Sequence, residues 1–142
     1  MAKVSDEGDD VLDAGTSWLI VRFMRRCDGS MPAKEWFDGL TGKGRGQVLA
    51  ALAVLDVGLS SGRSPAGRAT KLQGSREKLH ELRPTKKGGK PPHLRVLFVR
   101  EGRAIWLAHG FTKRSNDLKA RDLAAAETVA REWRAMREGE QQ

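Results

Sequence analysis

Between residues 78 and 109 the chain carries three short runs of alternating character, separated by segments too short to hold a helix. Lys78 to Pro84 is the first run. Thr85 to Pro92, rich in glycine and lysine, turns the chain into His93 to Arg100, and Glu101-Gly102 turns it again into Ala104 to His109. Side chains along a strand point to opposite faces in turn, and strands joined by short turns pair antiparallel. These runs predict an antiparallel meander, and the rest of the chain must cover it.

That covering is predominantly helical. Ser17 to Arg25 is rich in β-branched and aromatic residues and reads as a further buried strand, closed by the turn Asp28-Gly29-Ser30. Pro32 opens a helix running to about Leu40, which Gly42, Gly44 and Gly46 interrupt. A second helix fits Gln47 to Val57, with Val48, Leu49, Leu52, Leu55 and Leu59 as its apolar face and Gly58 at its end. Residues 60–71 read as a loop, and Gly110 to Asp117 as another. Asn116 or Asp117 caps a final helix to about Arg137 whose stripe is Ala126, Val129, Ala130, Trp133 and Met136, with Gly139 as its stop. The order β-α-α-β-β-β-α defines an α+β class, a curved antiparallel sheet packed on helices. We expect a disordered acidic tail over 1–16, one domain over 17–138 and a short tail over 139–142.

Charge narrows the function. The chain carries 26 Lys and Arg against 18 Asp and Glu, a net +8 and a pI near 10.1. Such a balance favours polyanions, either nucleic acid or an anionic membrane surface. No apolar run approaches the roughly 20 residues that span a bilayer, and the acidic start is unlike a signal peptide. A soluble cytoplasmic protein is expected, with Cys27 a spare thiol in a reducing compartment. The charge is uneven: residues 1–16 set one lysine against five carboxylates, whereas residues 62–103 set twelve Lys and Arg against three Glu.

Several of those cations fall on the strands or the turn between them. In the first run Leu79, Glu81 and Arg83 share a face; in the second, Arg95 shares one with Leu97 and Val99. Arg83 and Arg95 on neighbouring strands suit a clamp on one phosphate from two sides. Lys86, Lys87 and Lys90 crowd the hairpin, and Lys113 and Arg114 follow His109 at the end of the third strand. RNA supplies its own nucleophile, the 2′-hydroxyl, so cleavage asks of a protein only orientation, charge stabilisation and proton movement. Arg and Lys suit the second task. His109 is a candidate proton carrier or a satisfied strand-end histidine. Glu81 either orients a base or pairs with Arg83 or Arg95. His93 reads as structural or exposed, and the tryptophans as core. His80, His93 and His109 form no metal-ligand pattern, so no metal or other cofactor is implied.

Three segments in order carry a family resemblance: Leu79-His80-Glu81-Leu82-Arg83, Arg95-Val96-Leu97-Phe98, and Ile105 through Arg114, which reads IWLAHGFTKR. Over residues 17–137 the chain resembles the phage-derived Gp49-like/HigB group of RelE-superfamily toxins. The resemblance implies the RelE-like microbial RNase fold and ribosome-dependent endonucleolytic cleavage of mRNA in the A site, the activity of a type II toxin. It further implies a cognate antitoxin, often a helix-turn-helix protein, through which alone operator DNA is bound. It places family positions on Arg83, Arg95 and Lys113, with Arg114 and His109 beside them. The chain departs from the family in having no tyrosine and in its Ser115-Asn116-Asp117-Leu118-Lys119 loop. Two other readings compete: a non-catalytic nucleic-acid or ribosome-binding protein on the same scaffold, and a regulatory module whose groove holds a partner protein.

Overall fold

The computed structural model describes residues 8–63, 68–85, 90, 92–113, 118 and 120–140. Its elements are β1 (Val11–Leu12), β2 (Ile20–Phe23), α1 (Pro32–Asp38), α2 (Gly42–Ser60), β3 (Ala69–Lys71), β4 (His80–Leu82), β5 (His93–Glu101), β6 (Ala104–Lys113) and α3 (Ala120–Glu140). The strands form one curved, open sheet in the order β1-β2-β6-β5-β4-β3. β4, β5 and β6 are the antiparallel meander that the alternation predicts. β2 joins β6 in parallel, because the α1–α2 segment carries the chain back before the meander begins. The α+β class and the order of the predicted elements hold.

Helices cover both faces. Phe37 of α1 and Val48, Leu52 and Leu55 of α2 pack on Val21, Phe23, Val96, Phe98, Ile105 and Leu107. On the other face Ala126, Val129, Ala130 and Trp133 of α3 pack on Leu97, Val99, Ala108 and Phe111. The α3 stripe is the predicted one except that Met136 is only half-buried.

Several boundaries differ from expectation, and one of them is the end of α2: Gly58 does not stop the helix, which runs on to Ser60 with Ser61 as its C-cap. α2 starts at Gly42, not Gln47: the Thr41 hydroxyl accepts from Gly44 N at 3.1 Å and caps the helix. The burial of one α2 face then outweighs the poor helix propensity of three glycines. The chain after residue 8 is not a disordered leader. Val11 and Leu12 pair with Arg22 and Val21, Asp10 meets Arg22 at 3.2 Å, and Asp9 meets Arg25 at 2.6 Å. Ala69–Lys71, expected within a loop, forms a short polar edge strand on β4. Gly139 does not stop α3, since a glycine in a frayed last turn costs little.

α3 is tied to the loop after β2 by Glu132. Its carboxylate accepts from Arg26 Nε at 3.2 Å and Nη2 at 2.8 Å, and from the Cys27 amide and thiol at 3.2 and 3.1 Å. These donors, Arg26 foremost, hold the Glu132 carboxyl down at about 2. A depressed carboxylate contributes stability above its ordinary pKa and loses it as pH falls towards the folded value. Glu132→Gln is therefore expected to lower the melting temperature at pH 7, with the gap to wild type closing between pH about 4.5 and 2. A gap independent of pH in thermal melts would refute this role for the carboxylate. No helix among the described residues is long and apolar enough to cross a membrane.

Candidate nucleic-acid interface

β6 carries the feature that assembles the site. Leu97 is paired with His109, but the next residue, Phe98, is paired with Leu107, so Ala108 is an extra residue in β6. A bulge of this kind re-aims the side chains beyond it. Without it, Leu107 and His109, two residues apart, would share a face. With it, Leu107 joins the α1/α2 core while His109, Phe111 and Lys113 turn to the α3 face. Directly paired residues share a face, so Glu81, Leu97 and His109 form one row across three strands. Arg95 and Phe111 form the next row, with Arg83 at its β4 end one register step beyond Leu82, and His93 and Lys113 form a third.

Within these rows the charges interlock. Glu81 Oε1 lies 3.4 Å from Arg83 Nε, and Glu81 Oε2 lies 3.9 Å from Arg95 Nε. Arg95 Nη1 donates to the Thr85 hydroxyl at 3.1 Å and to the Leu94 carbonyl at 2.7 Å. Burial pulls the Arg95 guanidinium below its usual pKa; Glu81 opposes this and Arg83 adds to it. Arginine is so strong a base that it remains charged. His109 Nε2 lies 3.1 Å from Asp122 Oδ1 in the first turn of α3, and its ring stacks on Phe111 at 5.5 Å between centroids. The Lys113 ammonium sits 5.6 Å from the centre of that same phenyl ring.

Arg83, Arg95, Glu81, His109 and Lys113 thus gather on one face. The two-sided phosphate clamp is not the arrangement found: Arg95 is 1% exposed, whereas the Arg83 side chain is 24% exposed. Arg95 lies under the surface, where Glu81 and Thr85 hold it, and Arg83 is the outward member of the pair. His109 does not end its strand, because β6 runs on to Lys113. Its place is inside the strand, part-exposed beside α3. Glu81 takes the ion-pairing role of the two foreseen for it. His93 is buried at the start of β5. Lys90 is exposed and lines a groove on the opposite side of the sheet. Lys86, Lys87 and Arg114 lie outside the described residues.

Three members of the site carried no signal in the sequence. Asp122 lies thirteen residues from His109, and nothing in their spacing announces a contact. Phe111 is a platform only because the bulge turns it towards His109. Thr85 reads as the first residue of a turn, yet its hydroxyl also accepts from the Leu94 amide at 3.2 Å and so fixes the entry to β5.

Chemically, the arrangement offers an outward guanidinium, an ammonium over an aromatic ring and an imidazole oriented by a carboxylate. Together they define a small basic α+β protein with an anion-receptive sheet face. The chain matches the phage-derived Gp49-like protein family over residues 35–131 and belongs to that family. None of the curated proteins matches it.

Proposed function

We propose that this protein is a RelE/HigB-type toxin of a type II toxin–antitoxin module, an endoribonuclease that cuts mRNA on the ribosome. Its family is one associated with toxin-like proteins. The observation that carries the reading is the gathering of Arg83, Glu81, Arg95, His109 and Lys113 on one face of three adjacent strands. In the proposed mechanism Arg83, the outward cation, stabilises charge on the phosphorane formed when the 2′-hydroxyl attacks the adjacent phosphorus, and Lys113, 8% exposed, acts from beneath the same face. The P–O5′ bond then breaks to leave a 2′,3′-cyclic phosphate and a 5′-hydroxyl. Of the two protons involved, one leaving the 2′-oxygen and one reaching the 5′-oxygen, His109, oriented by Asp122, moves one and water the other. Glu81 and Arg95 are positioning residues that fix the direction of Arg83. The ribosomal A site presents the message, and the strongly basic surface favours docking on ribosomal RNA. A cognate antitoxin of helix-turn-helix type neutralises the protein and links it to operator DNA, and the module works in the cytoplasm.

The test is a reconstituted translation reaction with mRNA 5′ ends mapped by primer extension, beside free mRNA without ribosomes. Wild-type protein is expected to cut only where ribosomes are present. Arg83→Ala, at a part-exposed position, is expected to keep the wild-type melting temperature and to cut about 100-fold more slowly. Cuts in free RNA would make the protein a ribosome-independent nuclease. The burial of Arg95 and the absence of tyrosine favour one competitor, a non-catalytic ribosome-binding protein. That reading wins if no cuts appear while salt-sensitive ribosome binding persists.

A further inference from the structure

Arg100 and Arg103 flank the β5–β6 turn, and both lean on the indole of Trp18, their guanidinium carbons 5.8 and 5.3 Å from a ring centre. Each is also tied to the backbone through Nε: Arg100 to the Gly102 carbonyl at 2.9 Å, Arg103 to the Trp18 carbonyl at 2.9 Å. These contacts fix the direction of both groups and leave the Nη nitrogens to a ligand. Arg22, Arg26, Arg134 and Arg137 each face a carboxylate. Among the described residues no carboxylate lies within ion-pair distance of Arg100, Arg103 or Lys71. Glu101, between the two arginines, turns to the other face, where Arg137 of α3 holds it at 2.8 Å. Strand alternation puts Arg100 on the face of Phe98, opposite to that of Arg95 and Leu97, and five residues past Arg95, about 17 Å along β5. The pair thus stands on the other face and at the other end of the sheet from Arg83. Phe98 is paired with His80 and His80 with Lys71, and the imidazole stacks on Phe98 at 5.1 Å. Burial first, then the charges of Lys71 and Arg100, hold His80 below its usual pKa, so it stands neutral beside these cations at pH 7.

We propose that Arg100, Arg103 and Lys71 form a second nucleic-acid surface, one that takes the phosphate backbone of double-helical RNA. Charge gives the class of ligand: the three exposed cations have no acidic partner, and the chain carries a net +8. The rings decide between a helix and a single strand. Trp18 is half-buried and already carries both guanidinium groups, and Phe98 is 2% exposed beneath His80, so an unpaired base finds no free ring on which to stack. A double helix asks for no ring and presents its phosphates on a fixed shape. Guanidinium groups held in place by the indole and the turn have little freedom left to lose when they meet it. The surface takes no part in cleavage. Only the choice of RNA over DNA rests on the proposed function.

The test uses the full chain labelled with 15N, no ribosomes, and three probes: a short RNA hairpin, a DNA hairpin of the same sequence, and oligouridine. The RNA hairpin is expected to shift the amides of Lys71, Arg100, Gly102 and Arg103 and to leave those of Arg83 and His109 in place. Arg100→Gln combined with Arg103→Gln, both at exposed positions, is expected to weaken the hairpin about tenfold and to lower the slope of log affinity against log salt by about two. Lys71→Gln, which touches neither the indole nor the turn, lowers that slope by about one and serves if the double variant melts early. Several results overturn the proposal: undiminished binding in these variants, the RNA hairpin settling on the Arg83 face, oligouridine binding this patch as tightly, the DNA hairpin binding more tightly than the RNA one, or no binding. Message cleavage is read in a separate reaction, so its failure leaves this result standing, and loss of hairpin binding with cleavage intact refutes the second surface alone.

Discussion

Replacing Asp56 by alanine lowers the free energy of unfolding by about 3 kcal/mol. Asp56 sits near the end of α2 and is 5% exposed. Its carboxylate accepts from the backbone amides of Ser17, Trp18 and Leu19 at 3.0, 3.0 and 2.8 Å, and from the Ser17 hydroxyl at 3.4 Å. The turn that leads into β2 is therefore built on one side chain from a distant helix. Burial pushes the Asp56 carboxyl up, but the three amides pull it down further, and the net result lies below the ordinary aspartate value. Alanine leaves three amides in a part-buried turn with no acceptor, each worth about 1–3 kcal/mol if unsatisfied, less what entering water recovers. Asn keeps one acceptor oxygen but turns an NH2 towards an amide, so Asp56→Asn falls between wild type and alanine. The pH dependence has a definite sign. The stability is present above the ordinary aspartate pKa and lost as pH falls through the lower folded value, so the wild-type advantage over Asp56→Ala shrinks in acid. Urea unfolding at pH 7 and at pH 3 measures both. A loss of under about 0.5 kcal/mol at pH 7, the size of an ordinary surface change, would remove Asp56 from this role.

Asp56 also marks what the sequence can and cannot disclose. Leu52 and Leu55 are visible as core because helical spacing makes them so. A lone aspartate among them reads as polar exposure, since its partners lie thirty-seven to thirty-nine residues away. The meander was legible for the opposite reason: Glu81, Arg83, Arg95 and Leu97 sit on faces set by strand alternation, a property of neighbours. His109 escaped the same logic. Counting by twos from Leu107 places it in the α1/α2 core, and only the extra residue at Ala108 sends it to the α3 face. A one-residue phase change of that kind leaves no mark in composition. The order of the described part of the acidic start, from residue 8 on, is invisible in the sequence because Val11 and Leu12 are too few to show alternation; it comes from pairing with β2 and from Arg22 and Arg25. The burial of Arg95 was hidden too. A strand pattern says which face a side chain takes, not how deeply a helix and neighbouring segments cover it.

Gly110→Ala is expected to cost about 2–3 kcal/mol, and Trp36 to be the reason. A Cβ at Gly110 would lie 2.1 Å from Trp36 Cε3 and 2.3 Å from Cδ2, far inside contact distance. The indole cannot simply swing aside, because its Nε1 donates to the Thr112 hydroxyl at 3.2 Å and α1 packs along β6. Either the indole leaves and breaks that bond, or α1 lifts from the strand. Both displace the stretch of β6 that carries His109 and Phe111, so RNA cleavage under the proposed function falls together with stability. Strand propensity alone predicts the reverse, since alanine is less costly than glycine in a strand interior. The two causes separate in a double-mutant cycle. In a Trp36→Ala background the overlap is gone, and Gly110→Ala should become neutral within about 0.5 kcal/mol or slightly stabilising. If Gly110→Ala costs as much without the indole as with it, close packing on Trp36 is not why glycine stands there, and the cause lies in the backbone beside the Ala108 bulge.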